Sequence, residues 1–544
     1  MKLIFRSALL LLILYAMVFA IGDAYLARHG APLWVALAFA VGIVGLQYWA
    51  GPYLIQWFLK IRWDDTHTEL PVRNLEFLQR LCAARGLQMP RIGIIQSATP
   101  NAFTFGHVPC DARVVVTTGL LKILTTEESN AVLAHEMGHV EHYDFIVMTL
   151  ASLAPLLLYQ LYVFTRSSNK TRAVALGAYV CYWVSQYVAL MLSRTREYFA
   201  DEYSAQATGT PDALATGLVK IAYGIFQADG QLAEALETCT DGEAVGLRRE
   251  RSRVRALAMM GISNVSAGQS LALSGADCAG AAAIMRWDLV NPWARLYELA
   301  STHPLTALRI RAMNRESEAR HQTVSHPLPL DSHVRWATFP MEAALWAAPW
   351  VCGVATVVAA LINRALGSWD SVGQWFAAHG VALSPSLPAA LMLLTGVTWA
   401  LRTWLRYYGS FQPATIADLM TDVDVSQMRT RAVRLEGTMV GFGVPGAFWC
   451  ADLVLRDPTG MLFVLYKQTI PLARLMFAIT TASGYIGQKV MIEGWFRRGL
   501  RPYIEMACLT GEDGKTHVTW SRWVHHGVAS LLMVGGALWL AVSR

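Results

Sequence analysis

The chain has 544 residues, 54% of them hydrophobic and only 15% charged, with a formal net charge of +6. This is too apolar for an ordinary soluble protein, and the mild positive balance is no argument for nucleic acid, because basic residues flank membrane spans in any case. Eight cysteines with no C-x-x-C pair, Cys181 and Cys352 among them inside apolar runs, point to neither a disulfide framework nor a cysteine metal site.

Leu3 to Gly22 is an apolar run behind Lys2 and Arg6. Val18-Phe-Ala20 would suit a signal-peptide cleavage site, but we read the run as an uncleaved anchor. Leu33 to Phe58 is a second run, and both are long enough to cross a bilayer. Lys60 to Glu128 is the first soluble stretch, in which Arg91 to Gln96 and Arg113 to Thr118 read as strands and Asn101 to Gly106 as a third, extended one. An exposed edge strand here would suit a substrate added as a β-strand, and an ordinary sheet edge accounts for the pattern equally well.

Ala131 to Asp144 reads Ala-Val-Leu-Ala-His-Glu-Met-Gly-His-Val-Glu-His-Tyr-Asp and contains H-E-x-x-H at His135, Glu136 and His139. Thr125 with Glu128 three residues on predicts a capping box that starts this helix. Residues i and i+4 share a helix face, so two imidazoles can reach one tetrahedral Zn²⁺ while Glu136 is placed as base toward a water. A third ligand is required. Ser193-Arg-Thr-Arg-Glu-Tyr-Phe-Ala-Asp201 supplies Glu197, with Asp201 one turn on to orient a ligand imidazole. His142 is not expected to join, because seven residues of helix rise by about 10 Å.

Ile146 to Thr165 and Ala173 to Leu192 are the next apolar spans, joined by the polar loop Arg166 to Arg172. The metal helix is expected to run straight into the first, and the second straight into the Glu197 helix, which puts the site near the membrane surface. Pro211 to Phe226 reads as an amphipathic helix. Gly246 to Arg255 carries Arg248, Arg249, Arg251, Arg253 and Arg255 and reads as a solvated face, or alternatively as a contact for anionic headgroups. Asn264 to Ala282 reads as a loop, and helical pattern resumes from Ile284 past Pro292 to Ala300.

Met341 to Ile362 and Val381 to Leu401 are further spans. Thr430 to Val440, Trp449 to Leu455, Met461 to Tyr466, Lys489 to Phe496 and Pro502 to Leu509 then read as five strands, with a turn at Asp457-Pro-Thr-Gly460 and a helical stretch from Pro471 to Tyr485. That order is the one of an OB-fold barrel. Arg497, Arg498 and Arg501 beside Trp495, Phe496 and Tyr503 would suit an oligomeric ligand, although a regulatory or docking module fits better between membrane spans. Val524 to Val542 is the last span. Seven crossings from an inside N-terminus put the metal domain and the barrel on the cytoplasmic face. Lys60, Arg62, Arg194, Arg196, Arg402 and Arg406 agree with that, whereas Arg166, Lys170 and Arg172 speak against it.

Pro100-Asn-Ala-Phe-Thr-Phe-Gly106, Val114-Val-Val-Thr-Thr-Gly-Leu-Leu121, the His135 to His139 helix, Ser193 to Asp201 and Ser301-Thr-His-Pro-Leu-Thr-Ala-Leu-Arg-Ile310 occur in this order. Together they resemble the HtpX-like integral-membrane zinc metalloproteases, relatives of the CAAX prenyl endopeptidases. The resemblance implies a gluzincin domain, one Zn²⁺ held by His135, His139 and Glu197, and Glu136 as general base. In the last motif, His303 or Arg309 near the metal could stabilise the oxyanion of a tetrahedral intermediate, and a buried structural histidine is the equal alternative.

The expectation is therefore an α+β membrane protein with about seven transmembrane helices, a mainly helical zincin-like domain with a small sheet, and a C-terminal OB-like β-barrel. Its segments are a hairpin at 1–59, the metallopeptidase domain at 60–330 with an embedded hairpin at about 146–192, a second pair of spans at 331–409, the barrel at 410–521 and a last helix at 522–544. The expected activity is zinc endopeptidase, set in a bacterial inner membrane with its catalytic domain cytoplasmic. The partners are the bilayer and polypeptide substrates, and the resemblance implies misfolded or membrane proteins as the substrate class; nucleic acid is not expected. Prenyl-peptide processing and a non-enzymatic assembly or scaffold role are the alternatives. A structural metal site would hold four protein ligands and need no base, so Glu136 argues against the scaffold.

Overall fold

The computed structural model describes residues 32–64, 69–166, 169–222, 224, 278–329, 334–366, 384, 386–442, 450–468, 471–499 and 502–543. The expected first span, the arginine run from Gly246 and most of the stretch from Asn264 lie outside the described residues. The chain divides into two compact units, Met1–Leu289 with Ala294–Ser332, and Val290–Trp293 with His333–Arg544.

In the first unit, helix α1 (Leu33–Leu59) leads into a four-stranded sheet of β1 (Arg62–Trp63), β2 (Arg91–Ile95), β3 (Ala102–Phe105) and β4 (Arg113–Thr117), in the order β1-β2-β4-β3. Helix α2 (Val72–Arg85) lies between β1 and β2 in sequence. Strand β4 reads Arg-Val-Val-Val-Thr and is buried throughout, as β-branched residues in an inner strand should be. Its neighbour β2 runs parallel to it and β3 antiparallel, which leaves β3 at the edge. Leu59, Ile95, Phe103, Phe105 and Val115 close the core between the end of α1 and this sheet.

The metal helix is α3 (Thr126–Glu141), followed by α4 (Asp144–Thr165) and α5 (Arg172–Thr208). The second half of the expected hairpin is as anticipated: α5 is one helix of 37 residues that carries the apolar span, Glu197 and Asp201 without a break. The first half is not. Between α3 and α4 the backbone turns at Tyr143, whose φ of 57° is left-handed and ends the helical ladder. Helices α4 and α5 then pack along each other, with Tyr159, Tyr162, Tyr179 and Tyr182 in ring contact. A helix over 211–222 follows, and α6 (Thr306–Ala319) returns to α5.

In the second unit, α7 (Phe339–Leu366), α8 (Leu387–Arg406) and α10 (Ser521–Val542) form one helical layer, with α8 packed against both of the others. Glycines permit the close approach of α8 to α10. A Cβ on Gly396 would stand 2.7 Å from the Met533 nitrogen, and one on Gly536 would stand 2.6 Å from the Leu393 nitrogen. Such small-residue contacts are how helices associate in lipid. The strands β5 (Gln412–Pro413), β6 (Arg431–Phe442), β7 (Leu453–Asp457), β8 (Gly460–Leu465), β9 (Lys489–Arg497), β10 (Tyr503–Gly511) and β11 (Thr516–Val518) form a seven-stranded sheet where an OB-like barrel is expected. Pairing runs β6-β7-β8-β10, and β9 pairs with both β10 and β6. The turn after β7 forms as anticipated, because Asp457 Oδ1 accepts from the Thr459 and Gly460 amides at 2.7 and 2.8 Å. Helix α9 (Pro471–Thr480) occupies the expected place between β8 and β9.

Among the described residues, five helices are long and apolar enough to cross a membrane, namely α1, α4, α5, α7 and α10. The expected count of seven is not reached. The first expected span is undescribed, and α8, the sixth, is a 20-residue helix whose mean hydropathy is reduced by Arg402 and Arg406. Arg497 and Arg498 also differ from expectation. Both are buried, as are Trp495 and Phe496, so they are not displayed on a binding face. The end of β9 is covered on both faces, since Gly494 to Arg497 are buried in succession.

Candidate metal centre

Helix α3 begins where its sequence says it should. Thr125 Oγ1 accepts from the Glu128 amide at 3.3 Å and Glu128 Oε2 accepts from the Thr125 amide at 2.8 Å, closing the capping box. The helix is then held between two walls. On one side Thr104 of the edge strand β3 donates to Glu136 Oε2 at 2.6 Å. On the other, α5 lies against Gly138, where an added Cβ would be 3.0 Å from Ala200 Cα and 3.2 Å from Tyr203 Cβ. Ser204 Oγ donates to the Ala131 carbonyl at 2.7 Å and ties the same two helices together one turn further on. Glycine at 138 is thus what allows α3 and α5 to approach closely enough for residues 58 to 62 positions apart in sequence to converge.

Donor atoms of His135, His139 and Glu197 all lie within 4.8 Å of one another, and among the described residues no other group of His, Cys, Asp and Glu converges in this way. The two Nε2 atoms are 3.2 Å apart, with Glu197 Oε2 3.7 Å from His135 Nε2 and Glu197 Oε1 3.8 Å from His139 Nε2. The far nitrogens of both rings face carboxylates. His135 Nδ1 is 2.9 Å from Asp201 Oδ1, and His139 Nδ1 is 2.7 Å from Asp144 Oδ2. A carboxylate beside Nδ1 holds the proton there and turns the Nε2 lone pair inward. Two lone pairs therefore face each other, which is an arrangement for sharing a cation and not for bonding to each other.

Charge points the same way. Glu136, Asp144, Glu197 and Asp201 are buried carboxylates, while Arg196 and Arg309 are the buried guanidiniums among them. Four acidic groups against two guanidiniums leave an acidic excess of two around the imidazoles, which a divalent cation would compensate. Arg309 is 2% exposed and joins the two buried carboxylates of α5: Nε and Nη2 donate to Asp201 at 2.8 and 2.6 Å, and Nη1 lies 3.2 Å from Glu197 Oε2. Burial by itself would favour a neutral guanidinium, but Asp201 and Glu197 push its pKa further up. The group expected as an oxyanion donor is thus engaged behind the ligand set. His303 is half-buried, with Nδ1 3.1 Å from Glu197 Oε1.

Three supporting residues escape a reading of spacing. Asp144 reaches His139 because the left-handed Tyr143 folds the first turn of α4 back toward α3, and Arg196 of α5 pairs with Asp144 while donating to the His142 carbonyl at 2.9 Å. The signal available in the sequence was Asp144 opening an apolar run five residues after a ligand histidine. The third, Thr104, sits in the quoted edge-strand motif without a visible role until α3 is placed beside it. His142 stays out of the set, its ring lying near Phe199 and Tyr203.

Residues 74–317 match the family model described as Peptidase family M48. Similar curated proteins include a "Protease HtpX homolog" of Methanothermobacter thermautotrophicus, 36% identical over 41% of this chain and 84% of that protein. "Protease HtpX homolog 2" of Methanosarcina acetivorans is 33% identical over 38% and 74% respectively. The crystal structure of S. mikatae Ste24p aligns at 15% identity with a TM-score of 0.33, covering 57% of this chain and 65% of that one.

Proposed function

The chain belongs to peptidase family M48 as an HtpX-like, multi-pass membrane metalloprotease, and on that premise we propose that it is a zinc endopeptidase with Glu136 as its general base. The observation that carries this reading is the inward convergence of two imidazole Nε2 atoms and Glu197, beside a carboxylate held from the edge strand. His135, His139 and Glu197 would hold the ion, and Asp201 and Asp144 would fix the two imidazole tautomers. When bound, Zn²⁺ supplies Lewis acidity toward a water and the scissile carbonyl. Glu136 takes the proton of the attacking water and delivers it to the leaving amine. Thr104 steadies Oε2 for that exchange. The free edge of β3, on the same strand, receives the substrate backbone in extended form, so selection rests on an unfolded segment and not on a particular sequence. His303 is the side chain placed to meet the developing oxyanion, while Arg309 keeps Asp201 and Glu197 in place.

We further assign damaged or misfolded membrane proteins as substrates, with the catalytic unit cytoplasmic and the bilayer a bacterial inner membrane. The support is that α5 carries Glu197 on the same uninterrupted helix as a membrane span, which keeps the site close to the surface. We also read α8 as a membrane-spanning helix, since it packs on α10 through glycine, and the second sheet as an OB-like module, since β6-β7-β8-β10-β9 returns to β6. The test is the detergent-purified full chain against a denatured membrane substrate. Glu136→Gln is expected to keep its zinc, because every ligand remains, yet to lose hydrolysis by about 10²- to 10⁴-fold. Near-normal cleavage by that variant ends the proposed mechanism.

A further inference from the structure

The second unit contains a charge cluster that the protease reading does not use, in which Glu505 and Arg497 are buried and Arg402, Arg406 and Lys467 half-buried. Glu505 is its one carboxylate. Its Oε2 lies 2.9 Å from Arg497 Nε, 3.4 Å from Lys467 Nζ and 3.9 Å from Arg406 Nη2, and its Oε1 accepts from the Tyr407 hydroxyl at 2.5 Å. Arg402, one turn before Arg406 on α8, lies within electrostatic reach of Arg406, Arg497 and His525. Arg406, Arg497 and Lys467 thus meet one carboxylate with Arg402 beside them, four cations against one anion, an excess of three positive charges. Among the described residues the buried Nε atoms of Arg402 and Arg406 have no hydrogen-bond acceptor. Cations held partly out of water without enough acceptors are costly, so a cluster of this composition suits an anion supplied from outside the chain.

Its depth indicates which anion. Helices α8 and α10 run antiparallel, because Gly396 meets Met533 while Gly536 meets Leu393. The same alignment sets His525 beside Trp399 and Tyr407, at ring separations of 6.0 and 6.2 Å. The cluster therefore lies where α8 ends and α10 begins. Trp404, Tyr408, Trp520 and Trp523 are exposed at those same two helix ends. Exposed Trp and Tyr at the ends of membrane helices mark the headgroup level, and guanidiniums between such helices recognise phosphate.

We propose that Arg402 and Arg406, backed by Lys467 and Arg497, form a binding site for a phosphate group, that of an anionic phospholipid headgroup seated between α8, α10 and the β-sheet of this unit. The test takes the full chain in detergent, strips its lipid, and adds phosphatidylglycerol, phosphatidylcholine or inorganic phosphate separately, with binding read by native mass spectrometry and by the shift in Tm. Retention of phosphatidylglycerol with a rise in Tm, absent with phosphatidylcholine, supports the site with lipid as its source. Binding should be about 10-fold weaker in Arg402→Gln and Arg406→Gln, and close to wild type in Arg402→Lys. A saturable shift with inorganic phosphate alone, lost in Arg402→Gln, supports the site with a soluble source. Arg434→Gln removes the same charge from an exposed ion pair with Glu493 and should bind normally. Equal weakening in that control, or no anion-dependent shift in the wild-type protein, overturns the proposal.

Discussion

Each unit gathers a cluster of charges around buried members, and the two are opposite in sign. Around α3 and α5, four carboxylates face two guanidiniums and the ligand imidazoles; around β9 and β10, Arg406, Arg497 and Lys467 face Glu505 with Arg402 beside them. In both, arginine holds carboxylates in a bonded geometry. What differs is the uncompensated remainder, and that remainder predicts the ligand: a divalent cation for the first and a phosphate anion for the second. Folding alone does not favour either cluster, since replacing buried ion pairs by apolar residues is often neutral or stabilising. Their excess charge is better explained by what they bind.

The comparison breaks most visibly at Arg309. Arg309→Met leaves Asp201 and Glu197 buried with no guanidinium, and a loss of about 3–5 kcal/mol is expected in the first unit only. Hydrogen exchange on peptides from α5 and β9 will show whether the damage stays local; equal loss of protection in both units would mean that the first cluster is not a separate device.

A slightly smaller effect is expected on acidification. Burial would raise the Glu505 pKa, but Arg497, Lys467 and Arg406 outweigh it and bring the group to about 2, against an ordinary 4.5. Because the folded value is the lower one, Glu505 contributes stability above about pH 4.5 that is lost as pH falls toward 2, on the order of 3 kcal/mol. Glu505→Gln should flatten that part of the stability profile of the second unit, measured by denaturant unfolding between those pH values. An unchanged slope would remove Glu505 as its source.

The smallest effect sharpens the cation side. Asp144→Asn keeps a hydrogen-bonding group beside His139 but removes the charge that holds its proton on Nδ1, and zinc affinity should fall about 10- to 100-fold, similar to Asp201→Asn. Competition with a chelator measures both. A change at Asp201 alone would show that the Tyr143 turn serves the chain path and not the metal.

Local pattern carried much of this protein. The capping box at Thr125, the i, i+4 pairs on α3 and α5, the short strands and the Asp457 turn each depend on residues close in sequence, where backbone geometry dictates which side chains meet. The Glu197 segment is found by its own i, i+4 pair with Asp201, and the resemblance points to the same residues. Tertiary structure alone decided the rest. Asp144, Arg196 and Thr104 become neighbours of the site only because Tyr143 breaks the helix and Gly138 lets α5 approach α3. Arg497 is buried against Glu505 on the neighbouring strand when its own sequence suggests a surface. Hydropathy is a sum along the chain, whereas charge compensation is a sum over space, and space is settled only when distant elements pack.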